Sequence, residues 1–288
     1  MSRSFEGQPS PDLRIISKDL IIPQEEYDDQ RSKLVAAGTK NKGKFQDPII
    51  VTPLDDSRFL QLDGANRRRV LDLLNLDWAV AQVLEPYSIV TLTTWVHQTK
   101  ISPDKLASLE DKGLILKDGI SAGDDGLTPI ALLHFCEGDT NRVAVCLDCD
   151  KGPVSKVRGM KEIVDLYDFS PVRLPFSEPT ENDFGMAINV KSHLNTFAQF
   201  IPLRHDEVLE IVRQGGKIPS GITRHLIGVD GEGKIDFRTP YRVLEINFPI
   251  DELTGGSQVE LQNLLDERVK RGYVNDYMGL TRVYSWPE

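Results

Sequence analysis

The residues best suited to chemistry lie in the run Asp63-Gly64-Ala65-Asn66-Arg67-Arg68-Arg69, which puts a carboxylate, a glycine and three guanidinium groups side by side. Val70, Leu71, Leu73 and Leu74 follow at helical spacing, so Gly64 marks a sharp turn into a helix whose first N–H groups are free and carry partial positive charge. That is the form of an anion site, and arginine forks suit phosphate. Cationic side chains at a helix start oppose its dipole, a repulsion that a bound anion relieves. The same residues also fit a plainer role, with Asp63 as the N-cap of a surface helix and the arginines in water.

Other stretches hold groups of the same kind. The acidic run Gln24-Glu25-Glu26-Tyr27-Asp28-Asp29 leads into the helix expected at Arg31 to Ala37 and ended by Gly38, with acidic residues in the first turns, where the dipole favours them, or simply in water. Trp95 and His97 alternate in an extended segment and so face the same side; core packing is the commoner fate of such a tryptophan, and His97 fits a surface position equally. Pro219 to His225 is a proline and glycine loop followed by a hydroxyl, a guanidinium and an imidazole in Thr223, Arg224 and His225. Cys146 and Cys149 have CxxC spacing, and His134 and Cys136 would complete a zinc set, but a strand at Val143 to Leu147 would send the two thiols to opposite faces. Ordinary buried cysteines are the alternative.

The elements that position these groups follow from local pattern. Leu13 to Ile16, Pro48 to Thr52, Arg58 to Leu62 and Trp78 to Leu84 read as strands, and Tyr87 to Val96 is mostly extended. From Ser102 the character changes to a helix (102–112), a Gly- and Asp-rich loop (117–126), strands at 129–136 and 142–149, and a helix at 154–167. Helices at 204–214 and 257–271 and strands near 243–248 and 281–286 complete the chain. The expectation is an α/β (α+β) protein with a disordered start (1–11), a small N-terminal module (12–101) and a mixed α/β C-terminal domain (102–288).

Composition narrows the function. The 288 residues carry a net charge of -10, which argues against a broad nucleic-acid footprint, and 40% hydrophobic content fits a globular protein. No apolar run approaches the roughly 20 residues needed to span a bilayer, and the polar start is not a secretory signal, so a cytoplasmic location is expected. Three cysteines do not make a disulfide framework.

Several of these stretches together resemble one family. Asp47-Pro-Ile-Ile-Val-Thr52 followed by Leu62-Asp63-Gly64-Ala65-Asn66-Arg67 looks like the nucleotide-binding core of the ParB/sulfiredoxin-like superfamily. The longer match is to its free L-serine kinase branch. Glu25 lies between the first strand and the Pro-Ile-Ile strand, and Thr94-Trp95-Val96-His97 follows the core module. Gly138-Asp139-Thr140 and Pro219 to Arg224 appear in the branch's order. Where the family usually has Asp-Gly-x-His-Arg this chain has Asn66 in place of histidine; asparagine can hydrogen-bond a phosphate but carries no charge. The sulfiredoxin cysteine and the Gly-Glu-Arg-Arg box of ParB partition proteins are absent from the sequence.

The resemblance implies an enzyme that moves a phosphoryl group from ATP or ADP, with Mg²⁺, to the hydroxyl of free L-serine, giving O-phospho-L-serine. It implies Glu25 as general base and Asp63 as the group that helps hold Mg²⁺ or orients the hydroxyl. Gly64, Ala65, Asn66, Arg67 and Arg68 would hold the nucleotide phosphates. Trp95 and His97 would wall the serine pocket, and Thr223, Arg224 and His225 would bind the serine carboxylate or the product phosphate. The substrate cleft is expected between the two domains, with a small molecule and a nucleotide as partners and neither nucleic acid nor membrane. Two other readings compete. One is a non-catalytic ParB-like DNA-binding regulator that uses 205–228 as a helix-turn-helix, disfavoured by the acidic balance and by the Pro219 and Gly221 break; the other is a nucleotide hydrolase or switch on the same scaffold.

Overall fold

Short runs of β-branched residues place several of this chain's strands, and a computed structural model shows how they pair. It describes residues 10–118, 128–135, 140–146, 152–175, 196–228, 240, 242–271, 273–277 and 281–285. Cys136, Cys149 and the Gly138-Asp139 pair lie outside these residues, as do residues 1–9 and Trp286. The architecture is mixed α/β.

In chain order the strands begin with β1 (Asp12–Ser17), β2 (Ile21–Pro23), β3 (Lys44–Phe45), β4 (Ile49–Pro53), β5 (Phe59–Asp63) and β6 (Trp78–Val83). They continue with β7 (Thr91–Thr99), β8 (Leu114–Asp118), β9 (Thr128–Phe135), β10 (Thr140–Cys146), β11 (Val172–Pro175) and β12 (Thr196–Phe200). The last are β13 (Thr223–Leu226), β14 (Arg242–Leu244), β15 (Phe248–Pro249), β16 (Tyr273–Tyr277) and β17 (Thr281–Ser285). The α-helices are α1 (Asp29–Lys42), α2 (Ala65–Leu73), α3 (Pro103–Ala107), α4 (Pro153–Val164), α5 (His205–Arg213) and α6 (Gln258–Arg271).

The chain forms two compact units, Met1–Thr91 with His225–Glu288, and Leu92–Arg224. This differs from the expected sequential division at residue 101, because the C-terminal segment His225–Glu288 returns to the first unit through pairings that no local pattern announces. The first unit holds a mixed sheet in the order β1-β6-β4-β5-β2, with β15 on β3 and the small sheet β14-β17-β16. Ile15, Ile49, Val80 and Leu71 share a core with Val243, Ile246, Phe248, Leu261 and Leu265 from the returning segment. Gln262 of α6 accepts from Ile15 N–H (2.8 Å) and donates to Leu13 O (3.0 Å), so the outer edge of β1 is satisfied rather than bare. The second unit is built on the sheet β11-β7-β12-β9-β10-β8.

Two local expectations change. Helix α1 runs through Gly38 and stops at Gly43, whose left-handed backbone (φ 63°) closes it, while Asp28 caps its start by accepting from Arg31 N–H. A glycine costs a helix interior only about 1 kcal/mol, so Gly38 alone cannot end it. Helix α4 ends at Val164, short of Tyr167. Among the described residues no helix is long and apolar enough to cross a membrane.

Candidate functional site

Strand β5 leads into α2 through Gly64, whose φ of 97° favours glycine. Asp63 is therefore not the N-cap; Gly64 is, and its N–H donates to Asp63 Oδ1 (2.8 Å). A Cβ at position 64 would lie 2.8 Å from Arg67 Nε, so the Arg67 guanidinium lies across the turn in space that only glycine leaves. Arg67 reaches Asp63 Oδ2 (3.3 Å) and Asp47 Oδ2 (3.4 Å), both long contacts. Its Nε is buried without a hydrogen-bond partner. Ala65, Asn66 and Arg67 occupy the first turn, where N–H groups have no carbonyl partner within the helix.

Asn66 does not stand apart as a charge-free substitute for histidine. Its Oδ1 accepts from Asp28 N–H (3.2 Å) and from Ser32 Oγ–H (2.9 Å), which fastens the turn to the start of α1 and so to the segment that carries Glu25. Arg68 is spent elsewhere, on Ile21 O (3.4 Å) and Asp72 (2.9 Å).

Next to this turn lies a buried polar chain. Gln24 Nε2 donates to Leu62 O (3.2 Å) and faces His225 Nδ1 (3.4 Å), while His225 Nε2 is 2.9 Å from Tyr87 Oη. An amide NH₂ only donates, so His225 Nδ1 accepts and its proton sits on Nε2, donated to Tyr87. Both ring nitrogens of His225 are thus engaged inside the first unit. Burial pushes the Tyr87 hydroxyl up, and the charge of nearby Glu25 adds to that. Burial works against ionisation of Asp63, but the charges of Arg67 and Arg242 and the Gly64 N–H overcome it and hold the carboxyl at about 2. A cavity of about 210 Å³ adjoins Arg67, lined by Val35, Gly38, Thr39, Lys42 and Gln46.

In the second unit, β7 places Trp95 and His97 on one face as expected, with different fates. His97 is fully buried; Nε2–H donates to Gly221 O (2.8 Å), so Nδ1 accepts from Tyr167 O–H (3.1 Å). Burial, with the Arg173 charge adding and the Gly221 bond opposing, lowers it to about 4, which keeps it neutral. Trp95 is half-buried with the Arg224 guanidinium 4.6 Å over its ring, a cation–π pair, and burial lowers Arg224. Thr223 is buried. Arg173 lies against Gly221, where a Cβ would meet its guanidinium at 2.1 Å, and donates to Ser220 Oγ (3.3 Å).

The residues present do not form a ready site for Mg²⁺. Both Asp63 oxygens are taken, by Gly64 N–H, Arg67 and Arg242, and among the described residues no three His, Cys, Asp or Glu side chains cluster as metal ligands. His134, a candidate for zinc, is buried against Phe197. Sequence reasoning also missed Arg242, Tyr87 and Arg173, none of which stands in a motif, and Asp47, which opens one.

No family model matches the chain, and neither does any curated protein. Solved structures do. SbnI from Staphylococcus aureus, truncated at its C-terminus, superposes with a TM-score of 0.67 at 19% identity, covering 90% of this chain and 95% of that one. The chain has this fold. A free serine kinase in complex with AMP matches with a TM-score of 0.62 at 16% identity over 88% of this chain and 98% of that chain. A glutamate-to-alanine variant of a free serine kinase in complex with ADP gives 0.63 at 16% identity over the same shares. The expected fold is therefore shared with these structures.

Proposed function

We propose that this chain is a nucleotide-dependent kinase that phosphorylates the hydroxyl of free L-serine. The observation that carries the reading is the double hydrogen bond of Asn66, which fastens the anion-ready turn Asp63–Arg67 to the start of α1, just after the carboxylate of Glu25. A base and a phosphate site are what phosphoryl transfer to an alcohol needs, since positioning and charge neutralisation supply most of the rate. The AMP and ADP complexes of proteins sharing the fold support nucleotide as the partner.

The serine Oγ would form a new P–O bond to the terminal phosphorus of ATP or ADP as the bond to the leaving nucleotide breaks. Glu25 would take the Oγ proton. N–H groups of the first α2 turn and the Arg67 guanidinium would neutralise the phosphates, and Asp63 would hold Arg67 in place. The cavity beside Arg67 would take the nucleoside end. Any Mg²⁺ would arrive on the nucleotide and draw its ligands from phosphate and water. A serine carboxylate calls for a cation and a hydroxyl of the kind that Arg224, lying on Trp95, and Thr223 offer within the second unit. His97 and His225, buried and fully bonded, would act as supports.

Phosphorus NMR of the purified chain with L-serine and Mg²⁺, once with ATP and once with ADP, tests this directly. A serine-dependent phosphomonoester signal is expected, and the nucleotide that yields it is the donor. Nucleotide breakdown that ignores serine would replace the reading with a hydrolase, and no turnover with either nucleotide would make the chain a binding protein. Glu25→Gln should lower kcat by roughly 10²–10⁴-fold while ADP still binds.

A further inference from the structure

The segment that returns to the first unit carries a cation directly into the candidate site. Arg242 Nη2 contacts Asp63 Oδ2, the oxygen that Arg67 Nη2 also faces at 3.3 Å. Two guanidinium groups therefore converge on one carboxylate, near enough to be bridged by one diphosphate. Three residues on, Glu245 N–H donates to Asp47 Oδ1 (2.9 Å), while Asp47 Oδ2 faces Arg67 (3.4 Å). Two aspartates thus each join Arg67 to the stretch Arg242–Glu245, closing a ring of contacts around the α2 turn.

That stretch is held in a costly shape. Glu245 (φ 56°) and Asn247 (φ 49°) both have left-handed backbones without being glycine, on either side of fully buried Ile246. The shape is kept by Val243 N–H on Gln82 Oε1 (3.0 Å), by Asn247 N–H on Gln46 O (3.0 Å) and by Arg268 on Asn247 O (2.9 Å). A segment so fixed presents Arg242 at one place rather than sweeping it through solvent.

Resting on the kinase reading, we infer that Arg242 is a second phosphate-binding guanidinium, which recognises the part of a nucleotide diphosphate beyond its first phosphate. Asp63 then holds the two arginines apart and in place until the diphosphate replaces it as their shared acceptor. Arg67, lying over the helix start, meets the phosphate nearest the turn, and Arg242 meets the next one. Charge-assisted forks of this kind give specificity as well as affinity.

Calorimetric titration of the full chain with ADP and with AMP tests the assignment. Arg242→Ala should weaken ADP about tenfold or more and AMP by less than about threefold, each tenfold step being about 1.4 kcal/mol. Arg242→Lys keeps a charge on Asp63 but loses the fork, so it should fold as wild type and fall between the two. Unchanged ADP affinity in the lysine variant and in a folded alanine variant would overturn the inference and leave the kinase reading standing. Equal losses for AMP and ADP would also overturn it, by making Arg242 a mere brace for Asp63. A wild-type chain that binds neither nucleotide would remove both.

Discussion

His97 shows what burial does to a titratable group, and the effect is measurable. Its folded pKa of about 4 lies below the ordinary 6.5, so between these values the unfolded chain binds a proton that the folded chain does not. The stability it contributes is complete above pH 6.5 and is lost as pH falls towards 4. Urea unfolding across that window should show wild-type stability dropping by up to about 3 kcal/mol relative to His97→Gln, which lacks the titration. Parallel curves would show that the imidazole is not sealed in as described. At this scale the sequence was partly legible. Asp63, Gly64, Asn66 and Arg67 were visible from a glycine between a strand and a helix. Their bonding was not, because Asn66 finds Asp28 and Ser32 only once α1 lies beside α2.

Among the elements, the junction of β5 and α2 has the least room for change. Gly64 combines a backbone that resists other residues with a guanidinium packed where a side chain would go. Gly64→Ala should cost roughly 1–3 kcal/mol and displace Arg67, so thermal unfolding should shift downward and ADP titration should weaken together. A variant that loses stability but keeps ADP affinity would separate Arg67 from the phosphates. The strands were legible wherever short apolar runs are bounded by turn residues, as in β4 and β5, and α5 and α6 lie close to their expected bounds. Helix ends were less so, since Gly38 and Gly43 look alike in sequence and only the turn's backbone chooses between them. Strand β16, Tyr-Val-Asn-Asp-Tyr, escaped notice because it contains no such apolar run.

For the whole molecule, the first unit depends on residues far apart in the chain. Leu265 of α6 is fully buried in the core that also holds Ile15 and Val80, so Leu265→Ala should destabilise this unit by about 2–5 kcal/mol, seen as a lower urea midpoint. A change under about 0.5 kcal/mol would mean that α6 is peripheral. The overall division could not be read from the sequence, because contacts such as Val243 with Gln82 span more than half the chain and leave no periodic trace. The arrangement also sets an order of events during synthesis. The second unit, Leu92–Arg224, is one continuous segment, whereas the first must wait for its C-terminal part. At about 5–20 residues per second, the ribosome needs roughly 10–35 s between finishing Thr91 and reaching Leu265. Throughout that interval the apolar faces of β1, β4 and β6 are made but lack part of their core, so the nascent chain carries uncovered apolar surface until its last residues arrive.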